Sequence, residues 1–166
     1  RLDSGAVEPA VCVAVKPVLE RAARMLQPVA RQREIDLTCR ADEAAAVRAT
    51  EGDVHQILYN LMENGVKYTA PGGFVHTSVS VEEGRVVITV SDNGIGIPVE
   101  DMPHIFERFY RVDKARSRQI GGTGLGLSIV GDTVQRRGGE IGVAPREGGG
   151  TVFTVSFPQA EPEVTA

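Results

Sequence analysis

Apolar residues recur along this chain with two different spacings, which divide it into helical and extended segments. A repeat of three to four residues predicts helices at residues 17–30, 53–68 and 124–137. Alternating or short apolar runs predict strands at residues 11–15, 35–39, 74–81, 85–91, 140–144 and 151–157. Residues 41–50 are ambiguous and are interpreted as a loop followed by a short strand. The pattern predicts an α/β (α+β) two-layer sandwich, in which a mixed β-sheet is covered on one face by about three helices.

The composition is that of an ordinary globular domain. The 166 residues are 42% hydrophobic and 24% charged, with a net charge of −4. The sequence contains no basic stripe, so nucleic acid is not expected as a partner. We predict one domain over residues 11–158, with a linker at residues 1–10 and a disordered tail at residues 159–166. Cys12 and Cys39 lie in apolar runs and are expected to be buried free thiols.

The densest motif is the glycine run at residues 121–126, which is followed directly by a helical pattern. Glycines let a ligand approach the backbone, and the start of a helix offers unpaired N–H groups to phosphate. The run is neither a P-loop, since no Gly-Lys pair occurs in the chain, nor a correctly spaced dinucleotide fingerprint. It predicts a phosphate site, with a purely structural turn as the alternative.

The predicted helix at residues 53–68 carries a polar stripe. At about 100° per residue, Asn60, Asn64 and Lys67 share one stripe, with Tyr68 at its edge. Asparagine is a poor helix former, so two of them one turn apart need a reason. An amide oxygen is a suitable ligand for Mg²⁺, and a lysine can bind phosphate as a point charge. The alternative is a solvated helix face that happens to carry two asparagines.

An acidic turn follows the predicted strand at residues 85–91. Asp92 is followed by two spaced glycines, Gly94 and Gly96. We interpret the carboxylate as an acceptor for the exocyclic amino group of adenine, with the glycines letting the loop wrap the base. Guanine has a carbonyl at that position and would be repelled. A simple turn is the alternative from this segment alone.

A group of aromatic residues precedes a basic segment. Phe106, Phe109 and Tyr110 predict an apolar anchor, and residues 111–118 carry four basic residues with almost no apolar periodicity. An unpatterned basic segment between an aromatic anchor and a glycine run is typical of a mobile lid over phosphates. A solvated surface loop is the alternative.

Taken together, these motifs resemble the ATP-binding catalytic domain of sensor histidine kinases. The resemblance covers the asparagine box at 60–69, the first glycine box at 92–98, the phenylalanine box at 106–111, the second glycine box at 122–127 and the closing glycine-threonine motif at 148–153. The five motifs occur in the family's order and spacing. The resemblance implies the Bergerat fold, shared with DNA gyrase, MutL and the heat-shock chaperone ATPases, and it implies ATP and Mg²⁺ as cofactors.

The resemblance also implies roles for single residues. Asn64 would bind Mg²⁺ with support from Asn60, Lys67 and Arg111 would bind phosphate, and Asp92 would recognise adenine. The implied nucleotide-binding set is Asn60, Asn64, Lys67, Tyr68, Asp92, Gly94, Gly96, Ile97, Phe106, Arg111, Gly122, Thr123, Gly124, Leu125, Gly126, Leu127 and Thr151. Gly65 departs from the family's usual alanine, and we expect a slightly weaker helix without loss of chemistry.

Position 60 distinguishes a kinase from an ATPase. Hydrolysing members of the superfamily place a glutamate one turn before the metal-binding asparagine as a general base, whereas the amide of Asn60 cannot take a proton at pH 7. We therefore expect phosphoryl transfer to a protein side chain. No acceptor is expected within this chain, because His55, His76 and His104 lack the acidic residue that follows the reactive histidine.

The resemblance implies two partners. These are a dimerisation hairpin of the same protein, which carries the acceptor histidine, and a response regulator downstream. The chain starts at Arg1 rather than Met, so we expect it to be a piece of a larger protein. The resemblance implies that this piece is a monomeric cytoplasmic fragment of a homodimeric membrane sensor. The alternatives are an ATPase module of the same superfamily and a protein serine kinase of the anti-sigma type.

Overall fold

The computed structural model describes residues 8–110 and 126–161. The first half contains β1 (Val11–Ala14), α1 (Val15–Gln32), β2 (Asp36–Ala41), β3 (Ala46–Ala49) and α2 (Glu51–Lys67). The second half contains β4 (Phe74–Glu82), β5 (Arg85–Asp92), a 3₁₀ helix (Val99–His104), α3 (Gly126–Arg136), β6 (Glu140–Pro145) and β7 (Thr151–Pro158). Each helix and strand predicted from the apolar spacing is present, with its ends shifted by a few residues.

Five strands form one mixed sheet in the order β2-β4-β5-β7-β6. Strands β2 and β4 run parallel, and the other neighbours are antiparallel. Buried and half-buried residues alternate along β4, β5 and β7, so one face of the sheet lies on the core and the other is partly exposed. The helices cover the core face, which confirms the predicted two-layer sandwich.

The core lies between the sheet and the helices. Helix α2 packs against both α1 and α3. Leu19 of α1 and Leu58 of α2 are fully buried, as is Phe153 of β7. Full burial of one such side chain stabilises the fold by about 1.5–3 kcal/mol. No helix in the described part of the chain is long and apolar enough to cross a membrane.

The structure differs from the prediction in three places. Strands β1 and β3 pair with each other in a separate two-stranded sheet rather than joining the large one. Local spacing did not predict this pairing, because the paired residues Val11 and Ala49 are far apart in sequence. The stretch after β5, predicted as irregular, contains the 3₁₀ helix. The predicted tail from residue 159 was placed too early, because Gln159 and Ala160 donate backbone hydrogen bonds to the carbonyls of Gly84 (2.9 Å) and Ala46 (2.8 Å).

Both cysteines are free, as predicted, but they are half-buried rather than fully buried. Burial raises the pKa of the Cys39 thiol, and the charge of Glu20 adds to the increase. The thiol of Cys39 is therefore held in its unreactive protonated form near neutral pH.

Candidate nucleotide site

Helix α2 presents the predicted polar stripe at the edge of the core. Its first turn is capped by Thr50, whose Oγ1 accepts a hydrogen bond from the N–H of Asp53 (3.0 Å). The predicted apolar face is buried, namely Val54, Leu58, Leu61, Met62 and Gly65. The predicted site residues of this segment are half-buried, namely Asn60, Asn64, Lys67 and Tyr68. Burial of the apolar face thus leaves the polar stripe partly accessible.

The two asparagine side chains are available to a ligand. Asn60 and Asn64 lie one helical turn apart, and no side chain of the described residues hydrogen-bonds to their amides. Lys67 is only loosely paired, because its Nζ lies 4.0 Å from Oε1 of Glu63. The described residues contain no group of three or more His, Cys, Asp or Glu side chains that could hold a metal ion. The amide oxygens of Asn60 and Asn64 are neutral oxygen ligands, which suit a Mg²⁺ ion that takes its other ligands from phosphate and water.

Asp92 ends β5 as a buried carboxylate, with 4% of its surface exposed. Its Oδ1 accepts a hydrogen bond from the N–H of Gly94 (2.8 Å). Its Oδ2 faces α2, since a Cβ added at Gly65 would lie 3.6 Å from that oxygen. Burial raises the pKa of Asp92 above its usual value, although the N–H groups of Gly94 and Thr151 and the charge of Arg146 act in the opposite direction. Because an ionised carboxylate has about four acceptor positions, Asp92 can accept a ligand donor in addition to these two N–H groups.

The loops around Asp92 approach one another backbone to backbone. The N–H of Ile95 donates a hydrogen bond to the carbonyl oxygen of Tyr68 (3.0 Å). A Cβ at Gly94 would collide with that same carbonyl, and a Cβ at Gly150 would collide with the carbonyl of Asp92. Gly150 also has a φ of 110°. Glycine at these two positions is what lets the loops close around the carboxylate.

Two residues that sequence reasoning missed hold this arrangement together. Oδ1 of Asn93 accepts a hydrogen bond from the N–H of Phe74 (2.8 Å), which ties the loop after β5 to the start of β4. The guanidinium of Arg33 caps the end of α2, donating to the carbonyls of Val66 (3.2 Å) and Lys67 (2.9 Å). The Asp-Asn-Gly turn is a signal that could have pointed to Asn93. Arg33 has no local signal, because its partners lie 33 and 34 residues away.

The remaining described site residues lie around the same loops. Gly96, with a φ of 78°, and Ile97 line an open cleft together with Arg146 and Gly150. Thr151 is buried at the start of β7, where it pairs with Asp92 across the sheet. The structure therefore brings the end of α2, the first glycine loop and the start of β7 together, as the motifs predicted.

The aromatic anchor is only partly as predicted. Phe106 is half-buried and meets Phe153 edge-on, with 6.2 Å between the ring centroids. Gly131 of α3 passes close to this ring, since a Cβ there would lie 3.3 Å from Cβ of Phe106. Tyr110 also packs against the core. Phe109 is 67% exposed, so the inclusion of this residue in the anchor was wrong.

Part of the predicted phosphate site cannot be placed. Arg111, Gly122, Thr123, Gly124 and Leu125 lie outside the described residues, as does the predicted lid. Gly126 and Leu127 begin α3, and Leu127 packs against the core. The role of the glycine run in binding phosphate therefore stays a prediction.

The three histidines contact neighbouring side chains. His55 stacks on Tyr59 with 5.7 Å between ring centroids, Nδ1 of His76 hydrogen-bonds Oγ1 of Thr38 (2.7 Å), and Nδ1 of His104 lies 2.8 Å from Oε2 of Glu107. None of them is followed in the sequence by an acidic residue.

A sandwich of this topology, with a glycine loop and a buried aspartate beside an asparagine-bearing helix, is typical of a class of ATP-binding domains. The chain belongs to the histidine kinase-, DNA gyrase B- and HSP90-like ATPase family, whose sequence model matches residues 49–161. Within that family it is similar to sensor histidine kinase WalK of Bacillus subtilis (strain 168), with 45% identity over 122 residues, or 72% of this chain and 20% of WalK.

Solved structures give the same result. The mycobacterial sensor histidine kinase MprB matches with a TM-score of 0.77 and 26% identity, over 93% of this chain and 99% of that one. Full-length ShkA in complex with AMPPNP matches with a TM-score of 0.80 and 30% identity, over 96% of this chain and 33% of that one. The predicted resemblance to sensor histidine kinases is confirmed. The chain spans only 20% to 38% of the length of the first curated relatives that it matches.

Proposed function

We propose that this chain binds Mg-ATP and donates the γ-phosphoryl group to a histidine on a separate helical hairpin, as the catalytic domain of a sensor histidine kinase. The observation that carries the proposal is the buried carboxylate of Asp92, enclosed by the first glycine loop, the start of β7 and α2. A buried carboxylate is costly unless hydrogen bonds compensate its charge, and a ligand donor would add to those that Asp92 accepts from Gly94 and Thr151.

Each part of the site would bind one part of the nucleotide. The exocyclic amino group of adenine would donate to Asp92, with Tyr68 and Ile97 against the nucleoside. The amide oxygen of Asn64, supported by Asn60, would hold Mg²⁺, which neutralises phosphate charge when bound. Lys67 would bind phosphate as a point charge. Arg111 and the glycine run, of which residues 121–125 lie outside the described residues, would add further donors to phosphate.

The transfer step needs little from the protein beyond positioning. An imidazole nitrogen of the acceptor would attack the γ-phosphorus, the bond to the β,γ-bridging oxygen would break, and ADP would leave. Water would not be activated, because Asn60 cannot accept a proton. Glu63 lies about 100° around the helix from Asn64 and is loosely paired with Lys67. This is why we favour a kinase over the ATPase alternative.

The partners complete the proposal. We place the acceptor histidine on a dimerisation hairpin upstream of β1, in a homodimer, with relay of the phosphoryl group to a response regulator. We also propose that the domain works on the cytoplasmic side of a membrane sensor. Family membership and the resemblance to sensor histidine kinases support these steps.

The test is transfer between separate polypeptides. The chain is incubated with radiolabelled Mg-ATP, alone and with the hairpin segment of its natural protein, and a hairpin with the acceptor histidine replaced by glutamine serves as control. We expect slow, acid-labile labelling of the hairpin only, because splitting the chain removes the effective concentration that a tether supplies. Rapid phosphate release without the hairpin would support an ATPase instead, and acid-stable label on serine would support a serine kinase.

A further inference from the structure

Polar side-chain contacts join the first turns of α2 to the end of α3, away from the asparagine stripe. They include a long contact of 3.5 Å from Nη2 of Arg136 to Oδ1 of Asp53. Nε of Arg137 donates to Oδ2 of Asp53 at 2.6 Å, and Oγ1 of Thr133 donates to Oε1 of Gln56 at 2.7 Å. The ion pair is largely shielded from solvent, with side-chain exposures of 9% for Arg137 and 15% for Asp53. The end of α3 is therefore fixed to the first turns of α2.

The same guanidinium also holds the chain where it enters the domain. Nη2 of Arg137 donates to the carbonyl oxygen of Glu8 at 2.9 Å, across 129 residues of sequence. Two residues further on, Nη2 of Arg48 donates to the carbonyl of Ala10 at 3.0 Å. Strand β1 then begins and pairs with β3. Two guanidinium groups thus fix the entering backbone before its first strand.

Asp53 is held in its ionised form by this arrangement. Burial alone raises the pKa of its carboxyl, but the hydrogen bond and charge of Arg137, together with hydrogen bonds from Thr50, outweigh burial and lower the pKa below its usual value. Arg137 also lies just beyond the last turn of α3, where a cation is favoured by the helix dipole. The carboxylate of Asp53 and the guanidinium of Arg137 are therefore both charged at neutral pH. The planar guanidinium donates to two acceptors, the Asp53 carboxylate and the Glu8 carbonyl.

We propose that Asp53 and Arg137 are positioning residues for phosphoryl transfer, because they fix the entering chain at Glu8 to both helices of the nucleotide site. The inference rests on the proposed function, in which the acceptor histidine lies on the chain upstream of Glu8. The Asp53–Arg137 pair fixes the orientation of the domain relative to that upstream segment. It thereby fixes the position of the nucleotide phosphates relative to the acceptor histidine. Neither residue belongs to the nucleotide site, so ATP affinity does not depend on the pair.

The test uses the natural polypeptide that contains this chain and its upstream hairpin. Arg137→Ala, Asp53→Ala and the double variant are compared with Arg24→Ala, a control at an exposed arginine of α1. Two quantities are measured for each: the ATP dissociation constant by calorimetry, and the rate of histidine phosphorylation at saturating Mg-ATP.

We expect both single variants to lower the phosphorylation rate by about 10- to 100-fold, as misplacement of reacting groups does, with ATP affinity unchanged. The double variant should be no slower than the slower single variant, since the two residues act as one unit. Arg24→Ala should behave like the wild type. If Arg137→Ala does not fold, Arg137→Lys takes its place, because lysine keeps the charge but lacks the fork.

The outcomes separate the two proposals. If the wild type phosphorylates its histidine and the variants do so at the same rate, the positioning role is overturned. A parallel loss of ATP affinity and phosphorylation would also overturn it, because it would show a general weakening of the site. A wild-type protein that forms no acid-labile phosphate at all would instead reject the proposed function.

Discussion

Gly65 of α2 and Val75 of β4 share one space next to Asp92. A Cβ added at Gly65 would lie 2.9 Å from Cγ2 and 3.2 Å from Cγ1 of Val75, whose side chain is fully buried. Val75 is β-branched and has few alternative rotamers, so it cannot easily move aside. The valine thus occupies the space that the family's usual alanine at position 65 would need.

Gly65→Ala should therefore destabilise the protein, although alanine is the better helix former. Alanine should stabilise the helix by about 0.5–1 kcal/mol relative to glycine. Its overlap with Val75 should destabilise the core by about 1–3 kcal/mol, which is the larger effect. Gly52→Ala is the matched control in the same helix, because its nearest neighbour, Oγ1 of Thr50, would lie at an ordinary 3.8 Å. Urea unfolding should show Gly52→Ala to be stabilising and Gly65→Ala destabilising. Equal stabilisation by both would contradict the overpacking argument.

Asp92→Asn should raise the free energy of unfolding at pH 7. Because burial raises the pKa of Asp92 in the folded state, the stability that this group contributes is full below its unfolded pKa of about 3.9. That contribution is lost as the pH rises through the folded pKa. An asparagine cannot ionise, so the free energy of unfolding of Asp92→Asn should exceed that of the wild type at neutral pH. This difference should disappear below about pH 3.9. Urea unfolding at both pH values, with exposed Asp132→Asn as control, measures this.

The same carboxylate should select adenine. When GTP binds, the hydrogen bond to Asp92 is missing and its carboxylate is left unpaired, which costs about 1–3 kcal/mol. ATP should therefore bind about 5- to 150-fold more tightly than GTP. Asp92→Ala should abolish most of this preference, whereas Asp132→Ala should keep it. Competition binding with both nucleotides measures the ratio, and equal binding of GTP by the wild type would remove Asp92 from base recognition.

Asn64→Ala should remove most of the Mg²⁺ dependence of ATP binding. The amide oxygen of Asn64 is the proposed protein ligand, and alanine leaves the helix intact because it is a good helix former. Glu63→Gln is the control, since Glu63 is the neighbouring residue and its Oε1 lies 4.0 Å from Nζ of Lys67. Calorimetric titration of ATP with and without Mg²⁺ should show a reduced difference for Asn64→Ala alone. An unchanged difference would exclude Asn64 as the metal ligand.

Local spacing predicted the elements because each depends on residues close in sequence. The apolar face of α2, from Val54 to Gly65, follows from a helical repeat, and the alternation along β4 and β5 follows from the strand repeat. The motif chemistry also placed Asn64 and Asp92 in one candidate site. Local reasoning failed at Phe109, whose exposure depends on how the segment packs against β7 and α3 rather than on its apolar character.

The sequence by itself determined the class of domain and the residue types of its site. Only the tertiary structure decided that β1 pairs with β3, that Arg33 caps α2, that Val75 fills the space beside Gly65 and that Arg137 joins Asp53 to Glu8. The physical reason is the same in each case. These contacts are made between side chains and backbone groups far apart along the chain, and the apolar period of a segment carries no information about which distant group will meet it.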